Sequence, residues 1–89
     1  MNKIEKIANG IVKSVVEDDK DVVLVATTIE AGHLILQSVF RLLCIRGINF
    51  RKYGRDLFVD SKYVKVTTYE QEHNDTLGLR DYVRFDYEF

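Results

Sequence analysis

The run Val22-Val23-Leu24-Val25-Ala26, set between Asp21 and Thr27, restricts the fold of this chain more than any other segment. It is too short for a helix and has no polar side to give to water. It therefore reads as a central strand, apolar on both faces, and a strand of that kind points to an α/β (α+β) domain.

The residues before the strand repeat at a different period. Ile4, Ile7, Ala8, Ile11, Val12, Val15 and Val16 recur every three or four positions, which places them on one stripe of an amphipathic helix. Gly10 inside it costs about 1 kcal/mol relative to alanine, so packing rather than propensity must hold the helix. The acidic run Glu17-Asp18-Asp19 ends it. After the strand, Thr27 followed three residues later by Glu30 has the pattern of a capping box, predicting a second helix that runs to about Arg46, with Gly47 as its left-handed closing residue. This second helix carries two apolar stripes, one of Ala31, Ile35, Val39 and Leu42, the other of Leu36, Phe40 and Leu43. The second stripe needs a cover, which either helix 1 or a second copy of the protein supplies.

Beyond Gly47 the period shortens to two. Ile48, Phe50 and Lys52 alternate with their neighbours, as do Val64 and Val66 with Lys65 and Thr67. The polar breaks Gly54-Arg55-Asp56 and Asp60-Ser61-Lys62 divide this half into strands near 48–53, 56–60 and 62–69, joined by tight turns as an antiparallel meander. A polar stretch from Glu70 to Arg80 leads to a last strand over Tyr82 to Asp86, with Val83 and Phe85 toward the core. The expected order is α-β-α-β-β-β-β: two helices packed on a mixed sheet, in one domain spanning 1–89. A chain of 89 residues has enough apolar matter for one core, and 46% hydrophobic with 30% charged residues places it among folded proteins rather than disordered ones.

Several function classes are excluded by what the sequence lacks. A phosphate-cradling loop needs clustered glycines before a helix, whereas Gly10, Gly32, Gly47, Gly54 and Gly78 stand apart. Ser14, Ser38 and Ser61 fall on helices and in a turn, without the partners a nucleophile requires. The single thiol, Cys44, reads as a small core residue and its isolation implies a reducing compartment, the cytoplasm, or a host cytoplasm if the protein is viral. The first ten residues lack the pattern of a secretory signal, and Glu30, His33 and Arg41 interrupt the most apolar stretch, so no membrane association is expected. His33 reads as the surface partner of Glu30, and His73 as part of a solvated acidic loop with Glu70, Glu72 and Asp75. No catalytic group, metal or cofactor is expected.

Charge is more informative than its sum. The net charge is −1, yet Arg41, Arg46, Arg51, Lys52 and Arg55 follow one another with no acid between Glu30 and Asp56, and Phe50 and Tyr53 interleave them. Cations beside aromatic rings are the chemistry of single-stranded nucleic-acid surfaces. The bland reading is that the helix and the strand aim these groups in different directions.

The element order, the strand Asp21-Val-Val-Leu-Val-Ala-Thr-Thr28, the run Gly78-Leu79-Arg80 and the terminal Tyr82-Val-Arg-Phe-Asp86 resemble one part of a P-loop motor. The likeness is to the segment between Walker A and Walker B in phage terminase large subunits and superfamily 2 helicases. It implies a phage-encoded protein with a P-loop-like core, in which Asp86 matches the metal-associated aspartate. It departs from that family in two ways: no Gly-Lys-Ser/Thr run stands before helix 1, and Asp86-Tyr87-Glu88 replaces the usual Asp-Glu pair. A one-residue shift along a strand reverses the face on which a side chain projects, so hydrolysis is not implied.

These readings converge on a non-catalytic interaction protein, binding a partner protein or forming a homo-oligomer through Leu36, Phe40 and Leu43. The alternative is a nucleic-acid-binding module using Arg41, Arg46, Arg51, Lys52, Tyr53 and Arg55. An enzyme built on Asp86, Glu88 and the acidic loop around a metal is the third reading.

Overall fold

The computed structural model describes residues 2–88. Helix α1 covers Lys3–Val12, with Asn2 as N-cap accepting from the Glu5 N–H, and continues as a wider π-helical turn over Lys13–Glu17. Strand β1 (Asp21–Ala26), helix α2 (Ile29–Ile45), strands β2 (Arg51–Tyr53), β3 (Asp56–Val59) and β4 (Lys62–Thr68), the short α3 (Glu72–Asp75) and strand β5 (Tyr82–Tyr87) follow. The expected α-β-α-β-β-β-β order is present, with α3 added in the stretch read as polar loop.

The sheet has the order β2-β3-β4-β1-β5. Strands β2, β3 and β4 form the antiparallel meander, and β1 lies between β4 and β5, parallel to both. The run that predicted a central strand is central, and each of Val22 to Ala26 is fully buried. The strand read over 48–53 is shorter, because only Arg51–Tyr53 pairs with β3, while Ile48 and Phe50 pack against the core from outside the ladder.

Both long helices lie on one face. A Cβ on Gly10 of α1 would sit 2.8 Å from Phe85, and one on Gly32 of α2 would sit 2.6 Å from Val66. Phe85 and Val66 are the register partners of Leu24 on its two sides, so all three side chains share a face. The absence of a side chain at Gly32 lets the first turns of α2 settle onto β4.

Helix α2 starts one residue later than its sequence suggests. Thr28, not Thr27, is the N-cap, its hydroxyl accepting from the Ala31 N–H at 3.1 Å. The Thr27 N–H is instead donated to the Tyr87 carbonyl at 3.3 Å, extending the β1–β5 pairing by a residue. The C-terminus closes as predicted: Gly47 adopts φ +69°, and the Ile48 N–H returns to the Leu43 carbonyl at 2.9 Å.

Candidate functional site

The two apolar stripes of α2 are both used inside the domain. Leu36 and Leu43 are 1% exposed and belong to the same core as Ile35, Val39 and the buried residues of α1. Phe40, half-buried, stacks on Phe50 with ring centroids 5.2 Å apart. Leu36, Phe40 and Leu43 therefore form no surface for a partner, which corrects the reading from the sequence. A helix seated between a second helix and a twisted sheet is contacted over a wider arc than one stripe. The exposed apolar residues of α2 are Leu34 and Ile45, and Cys44, expected in the core, is exposed beside the latter. His33 is half-buried rather than a surface partner of Glu30, and its Nε2 is enclosed without a hydrogen-bond partner.

The far face of the sheet has different chemistry. Alternation and register bring together on it Arg51 and Tyr53 of β2, Asp56 and Phe58 of β3, Tyr63, Lys65 and Thr67 of β4, and Arg84 and Asp86 of β5. No long helix covers this side. The connection from β4 to β5 crosses it, and α3 is tied down at both neighbours of β1: the Thr67 hydroxyl donates to Asp75, and Arg84 makes a forked pair with Glu72 at 2.6 and 3.0 Å. The far-face valines of β1, Val23 and Val25, are fully buried as a result of lying between these groups.

The acids of this face are held by cations. Lys65 reaches both carboxylate oxygens of Asp56 at 3.4 and 3.2 Å, Arg84 also meets Asp86 at 3.3 Å, and Arg55 lies 3.8 Å from Asp75. The hydrogen bond from Arg84 is the main reason the Glu72 carboxyl is held below its ordinary range, and the same bond raises Arg84 further above neutral pH. Burial first, then the carboxylate of Asp21, pushes the Tyr63 phenol up. Among the described residues no three His, Cys, Asp or Glu side chains are grouped to hold a metal ion. Asp86 faces Tyr69, whose hydroxyl is 3.5 Å away, and His73 stands exposed on α3.

The basic run of the sequence is dispersed. Arg46 pairs with Glu17 at 3.4 Å, and Arg41 lines the groove between α1 and α2 with Glu5 and Asn9. Lys52 points to the helical face, with its Nζ 6.0 Å from the Phe40 ring, and Arg55 sits in the β2–β3 turn. Only Arg51 and Tyr53 stay together, the guanidinium 5.9 Å from the ring centroid. The structure adds residues that the reading of the basic run missed: Phe58 meets the Tyr53 ring edge-on at 5.8 Å, and Tyr63 is opposite Phe58 in the ladder. Asn49, Phe50, Arg51, Phe58 and Asp60 line a shallow cavity of about 280 Å³ at this hairpin corner. The spacing of five from Tyr53 to Phe58 to Tyr63, which two hairpins with two-residue turns fold onto one face, was the signal that could have found them.

The two borders of the sheet complete the picture. Strand β2 is three residues long and exposed throughout. Strand β5 is six residues long and pairs with β1 alone, so its outer edge has no strand neighbour among the described residues. No helix of the described residues is long and apolar enough to cross a membrane. No protein family, curated protein or solved structure matches the chain.

Proposed function

We propose that this chain is a non-catalytic interaction module that associates with a protein partner or a second copy of itself through the sheet rather than through α2. The observation that carries this reading is that the sheet stops at two strands without outer neighbours among the described residues, one of them beside an exposed aromatic and cationic corner. An open strand edge offers rows of backbone donors and acceptors to another chain. The acids that might organise chemistry are bound in internal pairs, Glu72 and Asp86 to Arg84 and Asp56 to Lys65. On this reading the likeness to the motor segment is one of a retained or imitated core in a phage-encoded cytoplasmic protein, with nucleotide turnover no part of its work.

The test immobilises the purified chain and exposes it to extract of the cell that expresses it. Retained protein should be released by Arg51→Glu with Tyr53→Ala, or by a substitution on β5, and not by Arg41→Glu on the helical layer. Nucleotide turnover by the purified chain that disappears with Asp86→Asn would contradict the reading.

One observation favours a second reading. Arg51, Tyr53 and Phe58 present a cation and two rings side by side at the hairpin corner, the arrangement on which unpaired bases stack. Fluorescence anisotropy with a single-stranded oligonucleotide at low salt tests it: binding should weaken as salt rises and be lost in Arg51→Glu. Absence of binding at the lowest salt removes it.

A further inference from the structure

We infer that two copies of this chain join through strand β5, antiparallel, with Phe85 on the two-fold axis, so that their sheets become one continuous sheet. The inference rests on the interaction reading above and names its partner as a second copy.

The backbone has the required orientation. The Tyr87 carbonyl points inward, accepting from the Thr27 N–H at the end of β1. Main-chain groups alternate along a strand, so those of residues 82, 84 and 86 point outward to the open edge. Two antiparallel copies with Phe85 opposite Phe85 of the second copy set Arg84 against Asp86 of the second copy, as a pair that exchanges both main-chain hydrogen bonds.

Charge selects this register. Arg84 and Asp86 share the far face, and the alignment centred on Phe85 alternates the two signs across the junction. A shift of one pleat in either direction keeps the faces matched but places Arg84 opposite Arg84 of the second copy, or Asp86 opposite Asp86 of the second copy. Like charges directly opposite on a sheet are destabilising. On the helical face the same alignment sets Val83 against Tyr87 of the second copy, and brings together the Phe85 rings, each half-buried in one copy alone. From Val83 to Tyr87 each residue of β5 thus meets an opposite charge or an apolar neighbour.

The other edge is built against self-pairing. Strand β2 has three residues, two of them cations, so a self-pairing centred on Lys52 sets lysine against lysine and one centred on Arg51 sets arginine against arginine. The contrast singles out β5.

Sedimentation equilibrium and light scattering of the purified chain over a range of concentrations test the inference. The wild type should be a dimer at micromolar concentration. Asp86→Pro removes from the main chain only an outward N–H, a substitution an edge strand tolerates, and from the side chain only an exposed carboxylate, and should leave a folded monomer by circular dichroism. Asp86→Arg should weaken association at least ~10-fold through the like-charge opposition it creates, and the exchange Arg84→Asp with Asp86→Arg, made together with Glu72→Gln so that no acid of α3 opposes the moved carboxylate, should recover it. Lys52→Glu on β2 should leave the dimer unchanged. A wild type that stays monomeric at high concentration, or a dimer that persists in both Asp86 variants, overturns the inference. A monomer that still retains a different protein in the capture experiment leaves the broader interaction reading standing.

Discussion

The two faces of the sheet use the same backbone for opposite ends. Under α1 and α2, Leu24 lies with its register partners Val66 and Phe85 in a core with Ile11, Ile35, Leu36 and Leu43, where stability comes from apolar area withdrawn from water. On the far face the partners of the equally buried Val23 are Lys65 and Arg84, ionic groups at the margin of solvent. Adjacent residues of one strand are thus both sealed, one by side chains that pack and the other by side chains that pair. The difference teaches where this protein can change: packing tolerates little alteration, whereas surface ion pairs and rings contribute little to stability and remain available for contact.

The largest effect should come from emptying the helical face. Leu24→Ala leaves a cavity between α2 and the sheet and should cost about 2–5 kcal/mol, read from the midpoint of urea unfolding. A loss of less than about 1 kcal/mol would break the contrast at its strongest point.

Next in size is the approach of α2 to the sheet. An added methyl at Gly32 would meet Val66 at 2.6 Å, and Val66 is 1% exposed with a short branched side chain that has nowhere to retreat. Gly32→Ala should therefore destabilise by about 1–3 kcal/mol despite the gain in helix propensity, and Val66→Ala in the same chain should recover part of it. The corresponding contact in α1 sharpens the point. Gly10 faces the half-buried ring of Phe85, which can rotate toward the sheet edge, so Gly10→Ala should cost distinctly less in the same unfolding assay.

On the far face the effects are smaller and depend on pH. The Glu72–Arg84 pair is partly solvated, with side chains 24% and 39% exposed, and Glu72→Gln should cost about 1 kcal/mol or less. Because Arg84 lowers the Glu72 carboxyl from its ordinary 4.5, the contribution is complete above that value and is lost as acid carries the pH down through the lowered folded value. Tyr63 acts in the other direction: its raised phenol contributes fully below 10.0 and loses that contribution as pH rises through the folded value. Glu72→Gln should flatten the acid limb of a stability profile and leave the alkaline limb in place.

How much of this was legible in the sequence follows from the same division. The helical face was readable because periodicity reports burial: Val22 to Ala26 announced the central strand, and the stripe from Ile4 to Val16 announced a helix lying over a core. The order β2-β3-β4-β1-β5 was not, since pairing of β1 with both β4 and β5 depends on contacts far apart in the chain. The same gap misled the reading of Leu36, Phe40 and Leu43, whose apolar stripe looks identical whether a sheet or another protein covers it. The basic run divides as the bland reading of it expected, for a geometric reason: Arg51 and Lys52 are neighbours in sequence and opposites in space, because successive strand residues project to opposite faces.

The smallest effect on stability is the most telling for function. Tyr53 is 62% exposed, its ring set against Phe58 and the guanidinium of Arg51 at the end of the short strand β2. Tyr53→Ala should leave unfolding within about 0.5 kcal/mol of wild type, as substitutions at an exposed position without buried partners do. A ring kept at the surface with so little bearing on the fold is explained by what it meets from outside, so the same variant should weaken binding in the capture or anisotropy assay while its urea midpoint stays put. If Tyr53→Ala instead unfolds the domain and leaves binding intact, the hairpin corner belongs with the helical face as part of the scaffold, and recognition falls to the edge of β5 alone.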